Sequence, residues 1–116
     1  MRAVIQRVLR ATVRVDDKVV GSIGHGFAVL LGVRKEDTRQ DADYLVEKVI
    51  NLRVFPDFEG KMNCGIVDMA GSLLVISQFT VYGSTARGRR PSFDRAAGSE
   101  QARALYEYFI ESARAR

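Results

Sequence analysis

Two thirds of the way along the chain, an apolar run gives way to four residues able to hold a substrate or stabilise charge: Ser77, Gln78, Phe79 and Thr80. Leu73, Leu74, Val75 and Ile76 just before them read as a buried strand, being short, apolar and rich in β-branched residues. If the strand continues through them, Gln78 and Thr80 share one face and Ser77 and Phe79 the other, so polar groups emerge where a hydrophobic strand leaves the core. The same four residues also read as a plain strand end heading for the Tyr82-Gly83 turn, and this stretch by itself leaves both readings open.

Activating a serine or threonine hydroxyl requires a base within reach. The chain holds one histidine, His25, and the glycines on either side mark it as a turn residue. No Ser-His-Asp triad or Cys-His pair can be built unless His25 serves. One histidine and one cysteine, Cys64, also give no ligand cluster, so neither a metal nor an organic cofactor is expected. A lone cysteine has no internal disulfide partner, which agrees with a reducing compartment.

Charge points to a polyanion. The 116 residues carry 18 Lys and Arg against 14 Asp and Glu, a formal net charge of +4. Arg87, Arg89, Arg90 and Arg95 crowd just after the candidate site, and guanidinium forks suit phosphate oxygens. A solvated basic loop is the alternative. No apolar run reaches the length of a membrane span, and Arg7 interrupts the start MRAVIQRV before a signal-peptide core can form. A cytoplasmic protein is expected.

The elements that position these residues form one domain. Residues 2–8 read as a strand with Ile5 and Arg7 on one face, Arg7 reaching solvent from an edge by default. Ala11–Val15 alternates with Val13 and Val15 inward, Asp16-Asp17 sits where a tight hairpin turn belongs, and Lys18–Ile23 returns. Phe27–Val33 is apolar on both faces and reads as a central strand. Thr38 with Asp41 forms a capping-box start for a helix to about Leu52, which buries Ala42, Leu45, Val46, Val49 and Ile50. A short strand stopped by Pro56, a turn at 57–60 and a weak strand near Ile66 and Val67 follow. A last helix, Glu100 to about Ala113 with Ser99 as its cap, turns Leu105, Phe109 and Ala113 inward. The sum is an α+β domain, a largely antiparallel sheet or partial barrel packed with two main helices.

SQFT at 77–80 resembles the D-aminoacyl-tRNA deacylase family, formerly D-tyrosyl-tRNA deacylase. MRAVIQRV, VDDKVVGSIG, LLGVRKED, NLRVFPDFEGKMN, LLVISQFTVYG and RGRRPSF are similar to that family's segments, in its order, and together span nearly the whole chain. The resemblance implies a homodimer with active sites at the interface, cleaving a D-amino acid, or misplaced glycine, from the 3′ end of tRNA. It implies that Ser77, Gln78, Phe79 and Thr80 line the aminoacyl pocket mostly through their backbone. It also implies that Arg7 buttresses the pocket from a buried or interfacial position. With no histidine base, the expected contribution is electrostatic: N–H groups such as those of Phe79 or Thr80 around the oxyanion of the attacked ester. Thr80 as nucleophile is the lesser alternative, and Arg89 and Arg90 are expected to touch acceptor-stem phosphates.

Members of the family continue past the last helix into strands bearing a Gly-Pro dipeptide that excludes L-amino acids. The only prolines here are Pro56 and Pro91, neither after glycine, so residues 1–116 are expected to be a deacylase-like domain without those strands. A non-catalytic tRNA-binding or editing-accessory module of the same fold is the second reading.

Overall fold

The computed structural model describes residues 1–84, 86, 88–93 and 95–116. Its frame is a three-stranded sheet in the order β1 (Arg2–Val8), β4 (Gly26–Gly32), β7 (Ser72–Ser77). Phe27, Val29 and Leu31 alternate along the central strand β4 and are at most 1% exposed. They meet helix α1 (Arg39–Asn51) through Val46 and Val49 and helix α2 (Ser99–Arg114) through Phe109. Of the stripes expected from the spacing, Ala42, Val46 and Val49 of α1 and Leu105 and Phe109 of α2 are buried, while Leu45, Ile50 and Ala113 are half-buried beside them.

Local chemistry explains most boundaries. Thr38 caps α1, its amide donating to Asp41 Oδ2 at 2.8 Å, and that bond holds the Asp41 carboxyl below its ordinary range. Asp16 and Asp17 both take positive φ, 51° and 62°, the pattern of a primed turn matching the strand twist of the hairpin β2 (Ala11–Val15) and β3 (Lys18–Ile23). Val15, expected inward, is 55% exposed, and Val19 and Val20 on the returning strand are 54% and 64% exposed, so neither strand of the hairpin buries its apolar residues near the turn. The weak strand expected near Ile66 and Val67 is a turn. The strand lies earlier, where β6 (Met62–Cys64) pairs antiparallel with β5 (Phe55–Pro56).

Among the described residues three of the strand pairings are antiparallel, and the fourth, β4 with β7, is parallel. A parallel neighbour requires a crossover, and α1 supplies it. Among the described residues the sheets do not close into a barrel. Gly26 permits the start of β4 to lie against Ser72, since a methyl group there would overlap the Ser72 carbonyl. The Met1 ammonium is buried against Asp37 Oδ1 at 2.6 Å, and Asp37 Oδ2 accepts from the Arg34 amide, which ties the start of β1 to the loop leaving β4. Among the described residues no helix is long and apolar enough to cross a membrane.

Candidate active site

β7 carries its ladder as far as Ser77, paired with Leu31 of β4, and the Gln78 amide donates to the Leu31 carbonyl at 2.9 Å. There the chain leaves the sheet. Phe79–Tyr82 is a 3-10 turn with Gln78 as its cap residue, so Phe79 and Thr80 do not continue the strand and the expected strand faces do not apply to them. Gln78 and Thr80 still meet, through turn geometry: Gln78 Nε2 donates to Thr80 Oγ1 at 2.6 Å. The first amides of such a turn have no carbonyl behind them. Among the described residues the amides of Phe79 and Thr80 have no hydrogen-bond partner, and no side chain caps them. Ser77, Phe79 and Thr80 are exposed and Gln78 is half-buried.

The turn is pinned from the sheet side. Tyr82, its last residue, is 5% exposed, with the Arg2 guanidinium 4.7 Å and the Arg95 guanidinium 5.8 Å from its ring centre. Burial pushes the Tyr82 hydroxyl above the usual phenol range and the charge of Asp37 adds to this, against the opposing pull of Arg2, Arg34 and Arg95. It is a neutral anchor at physiological pH. Arg2 Nη1 also donates to the Val81 carbonyl at 2.8 Å. Opposite Arg2 in the ladder stands Gly32, where a methyl group would overlap Val81 Cγ2 and press on the Tyr82 ring.

The basic loop folds back onto the same turn. Ser84 and Ser92 exchange backbone hydrogen bonds of 2.8 and 2.6 Å, and the Phe93 ring meets the Phe79 ring edge-on with centroids 5.0 Å apart. The Lys35 amide donates to the Arg95 carbonyl, and that of Ala97 to Val33, closing the loop on the end of β4. Arg89 and Arg90 are exposed and, among the described residues, without an ion-pair partner. Arg87 lies outside the described residues.

Arg7 is not brought to the turn within one chain. It pairs with Phe27, whose β7 partner is Leu73, whereas Ser77 lies level with Leu31 and Ala3, roughly 13 Å further along the strands. Arg7 is exposed on the edge strand and donates to the Val54 carbonyl at 2.6 Å. His25 sits near that same far end, its Nε2 2.8 Å from the Met69 carbonyl and its own carbonyl accepting from Ser72. An apolar groove of about 660 Å³ between β7 and α2, lined by Leu73, Val75, Tyr106 and Ile110 among others, stops short of Ser77. Among the described residues no group of three His, Cys, Asp or Glu side chains is placed to hold a metal ion. Arg2, Gly32 and Tyr82 escape sequence reasoning; the one signal is a glycine breaking the apolar run of β4.

The α+β frame presents on an exposed turn two main-chain amides without a partner among the described residues, with the chain's one histidine near the opposite end of the sheet, and fixed dipoles so placed are able to hold negative charge. The chain belongs to the D-Tyr-tRNA(Tyr) deacylase family, whose model matches residues 4–116. It is 59% identical over 115 residues to a D-aminoacyl-tRNA deacylase of Symbiobacterium thermophilum, covering 99% of this chain and 76% of that protein. A D-aminoacyl-tRNA deacylase of Fervidobacterium nodosum is 56% identical over 114 residues, covering 98% of this chain and 76% of that protein. A solved structure titled c-Myc DNA Unwinding Element Binding Protein matches at TM-score 0.94 and 40% identity, covering 99% of this chain and 77% of that one. A probable eukaryotic D-amino acid tRNA deacylase matches at TM-score 0.84 and 18% identity, over 97% and 66% of the two chains, and shows the fold alone.

Proposed function

We propose that the chain hydrolyses the ester joining a D-amino acid, or misplaced glycine, to tRNA, releasing amino acid and free tRNA as a proofreading step of translation in the cytoplasm. Membership of the deacylase family supports the reaction, and one observation supports the means: the unpartnered amides of Phe79 and Thr80 on a turn held at the sheet's end. Water adds to the ester carbonyl, whose π electrons move onto oxygen. The two amides donate to that oxyanion, each contribution being about 3 kcal/mol in comparable sites. The intermediate collapses by expelling the ribose 3′-oxygen, which takes up a proton, and the neighbouring 2′-hydroxyl assists the attacking water. Ser77 and Gln78 shape the wall beside the amides, and Arg89 and Arg90 meet acceptor-stem phosphates. Arg7 contributes across a homodimer interface; its distance from Ser77 in one chain supports that arrangement, and a sedimentation mass equal to one chain would refute it.

Two substitutions test the mechanism. Thr80→Val and Ser77→Ala each lower kcat less than about tenfold if the backbone carries the chemistry, because neither removes an amide. Total loss in Thr80→Val with the fold intact would instead identify the hydroxyl as nucleophile. Incubation with D-Tyr-tRNA and L-Tyr-tRNA tests the reaction: hydrolysis of the D form sustains it, and binding of either without turnover leaves a tRNA-binding module. Loss of both forms at equal rates would show that residues 1–116 do not hold the chirality filter.

A further inference from the structure

We infer that Arg2 is a positioning residue for the proposed oxyanion-binding amides of Phe79 and Thr80; the inference rests on the reading of those amides given above. Arg2 and Gly32 are opposite each other in the β1–β4 ladder, so their side-chain positions lie on the same face of the sheet. On that face the missing side chain of Gly32 leaves space for Val81 and Tyr82, and Arg2 fills the rest with a double grip. Its Nη1 donates to the Val81 carbonyl at 2.8 Å, and its guanidinium lies 4.7 Å from the centre of the Tyr82 ring.

The grip has a direction. Amides and carbonyls of a helical turn point opposite ways along its axis, so a cation that draws the Val81 carbonyl toward the sheet aims the amides at the other end of the turn outward. A charge-assisted bond to a carbonyl is stronger than a neutral one, and the stacked tyrosine prevents the guanidinium from swinging away. The Gln78 amide fixes the entry to the turn on Leu31, and Arg2 fixes its exit. Phe79 and Thr80 lie between these two anchors; the Thr80 carbonyl accepts from the Gly83 amide at 2.9 Å, while among the described residues the Phe79 and Thr80 amides have no backbone partner. Arg2 thus acts on charge that develops at amides one and two residues before the carbonyl it holds, through the peptide units it orients.

Arg2→Met keeps much of the aliphatic stem and removes the fork, and Arg2→Lys keeps a cation with a single reach. With D-Tyr-tRNA, Arg2→Met is expected to lower kcat roughly 10- to 100-fold with KM within about twofold, and Arg2→Lys to recover part of the loss. A KM rise at unchanged kcat would make Arg2 a phosphate contact and overturn the inference, as would an unchanged kcat with only a lower Tm. Amide proton and nitrogen shifts with hydrogen-exchange rates provide a second, activity-independent readout. In Arg2→Met the Phe79 and Thr80 signals are expected to move and exchange several-fold faster; unmoved signals would overturn the inference. Should the unaltered chain fail to hydrolyse the substrate, the proposed function falls, while these amide signals still decide the role of Arg2.

Discussion

At the scale of single residues, the site depends on a side chain that is absent. Gly32 has no need of glycine's φ range; it is required because Val81 and Tyr82 occupy the volume where its Cβ would stand. Gly32→Ala therefore forces the turn off the sheet. Overpacking of this kind costs about 1–3 kcal/mol of stability, and a displacement approaching 1 Å at the amides costs roughly 100-fold in kcat. Denaturant titration and single-turnover hydrolysis measure the two separately. A variant with lowered stability and full activity would show that the turn re-forms elsewhere with its amides unharmed, and that the packing under Tyr82 does not set the geometry of the site. Gly83 is constrained on the other side of the turn, where a Cβ would lie 2.9 Å from the Phe93 ring and 3.1 Å from the Thr80 carbonyl.

At the scale of elements, the legible parts are those whose causes lie close together in sequence. Thr38 and Asp41 announce the start of α1, Asp16-Asp17 the hairpin, and the apolar run ahead of Gly32 the central strand. The 3-10 turn was not legible because Arg2, Gly32 and Leu31, which end β7 and fold the chain over, are far from it in sequence. The parallel pairing of β7 with β4 is equally nonlocal. Ser77–Thr80 stood out by composition alone, while the scaffold that aims them carries no local pattern beyond one glycine. The α1 cap yields a pH prediction with a definite sign. The Thr38 amide lowers the folded-state pKa of Asp41 beneath its ordinary value of 3.8, so the stabilisation is complete above that value and is lost as pH falls through the folded one. Asp41→Asn removes the charge and keeps an acceptor. Its Tm deficit relative to the unaltered chain should be constant between about pH 7 and 5 and should shrink below about pH 4. A deficit that persists unchanged to pH 2 would mean that the carboxylate charge does not support the cap.

At the scale of the whole molecule, the net charge of +4 matters through its placement. The loop carrying Arg89 and Arg90 is stitched to the proposed catalytic turn by the Phe79–Phe93 ring contact, the Ser84–Ser92 bonds and Arg95 beneath Tyr82. Exposed guanidiniums therefore stand at a fixed offset from the amides, the geometry needed by a substrate whose ester is attached to a phosphate backbone. Affinity from such contacts arises largely from counterion release, so log K falls linearly with log salt, by roughly 0.7 to 0.9 per phosphate neutralised. Arg89→Ala with Arg90→Ala should weaken tRNA binding and flatten that slope by roughly 1 to 2, with kcat on saturating D-Tyr-tRNA nearly unchanged because the amides are untouched. Binding measured from 50 to 300 mM salt decides the matter. An unaltered slope would remove RNA contact from this loop and require the acceptor stem to approach the Phe79–Thr80 amides over a different surface.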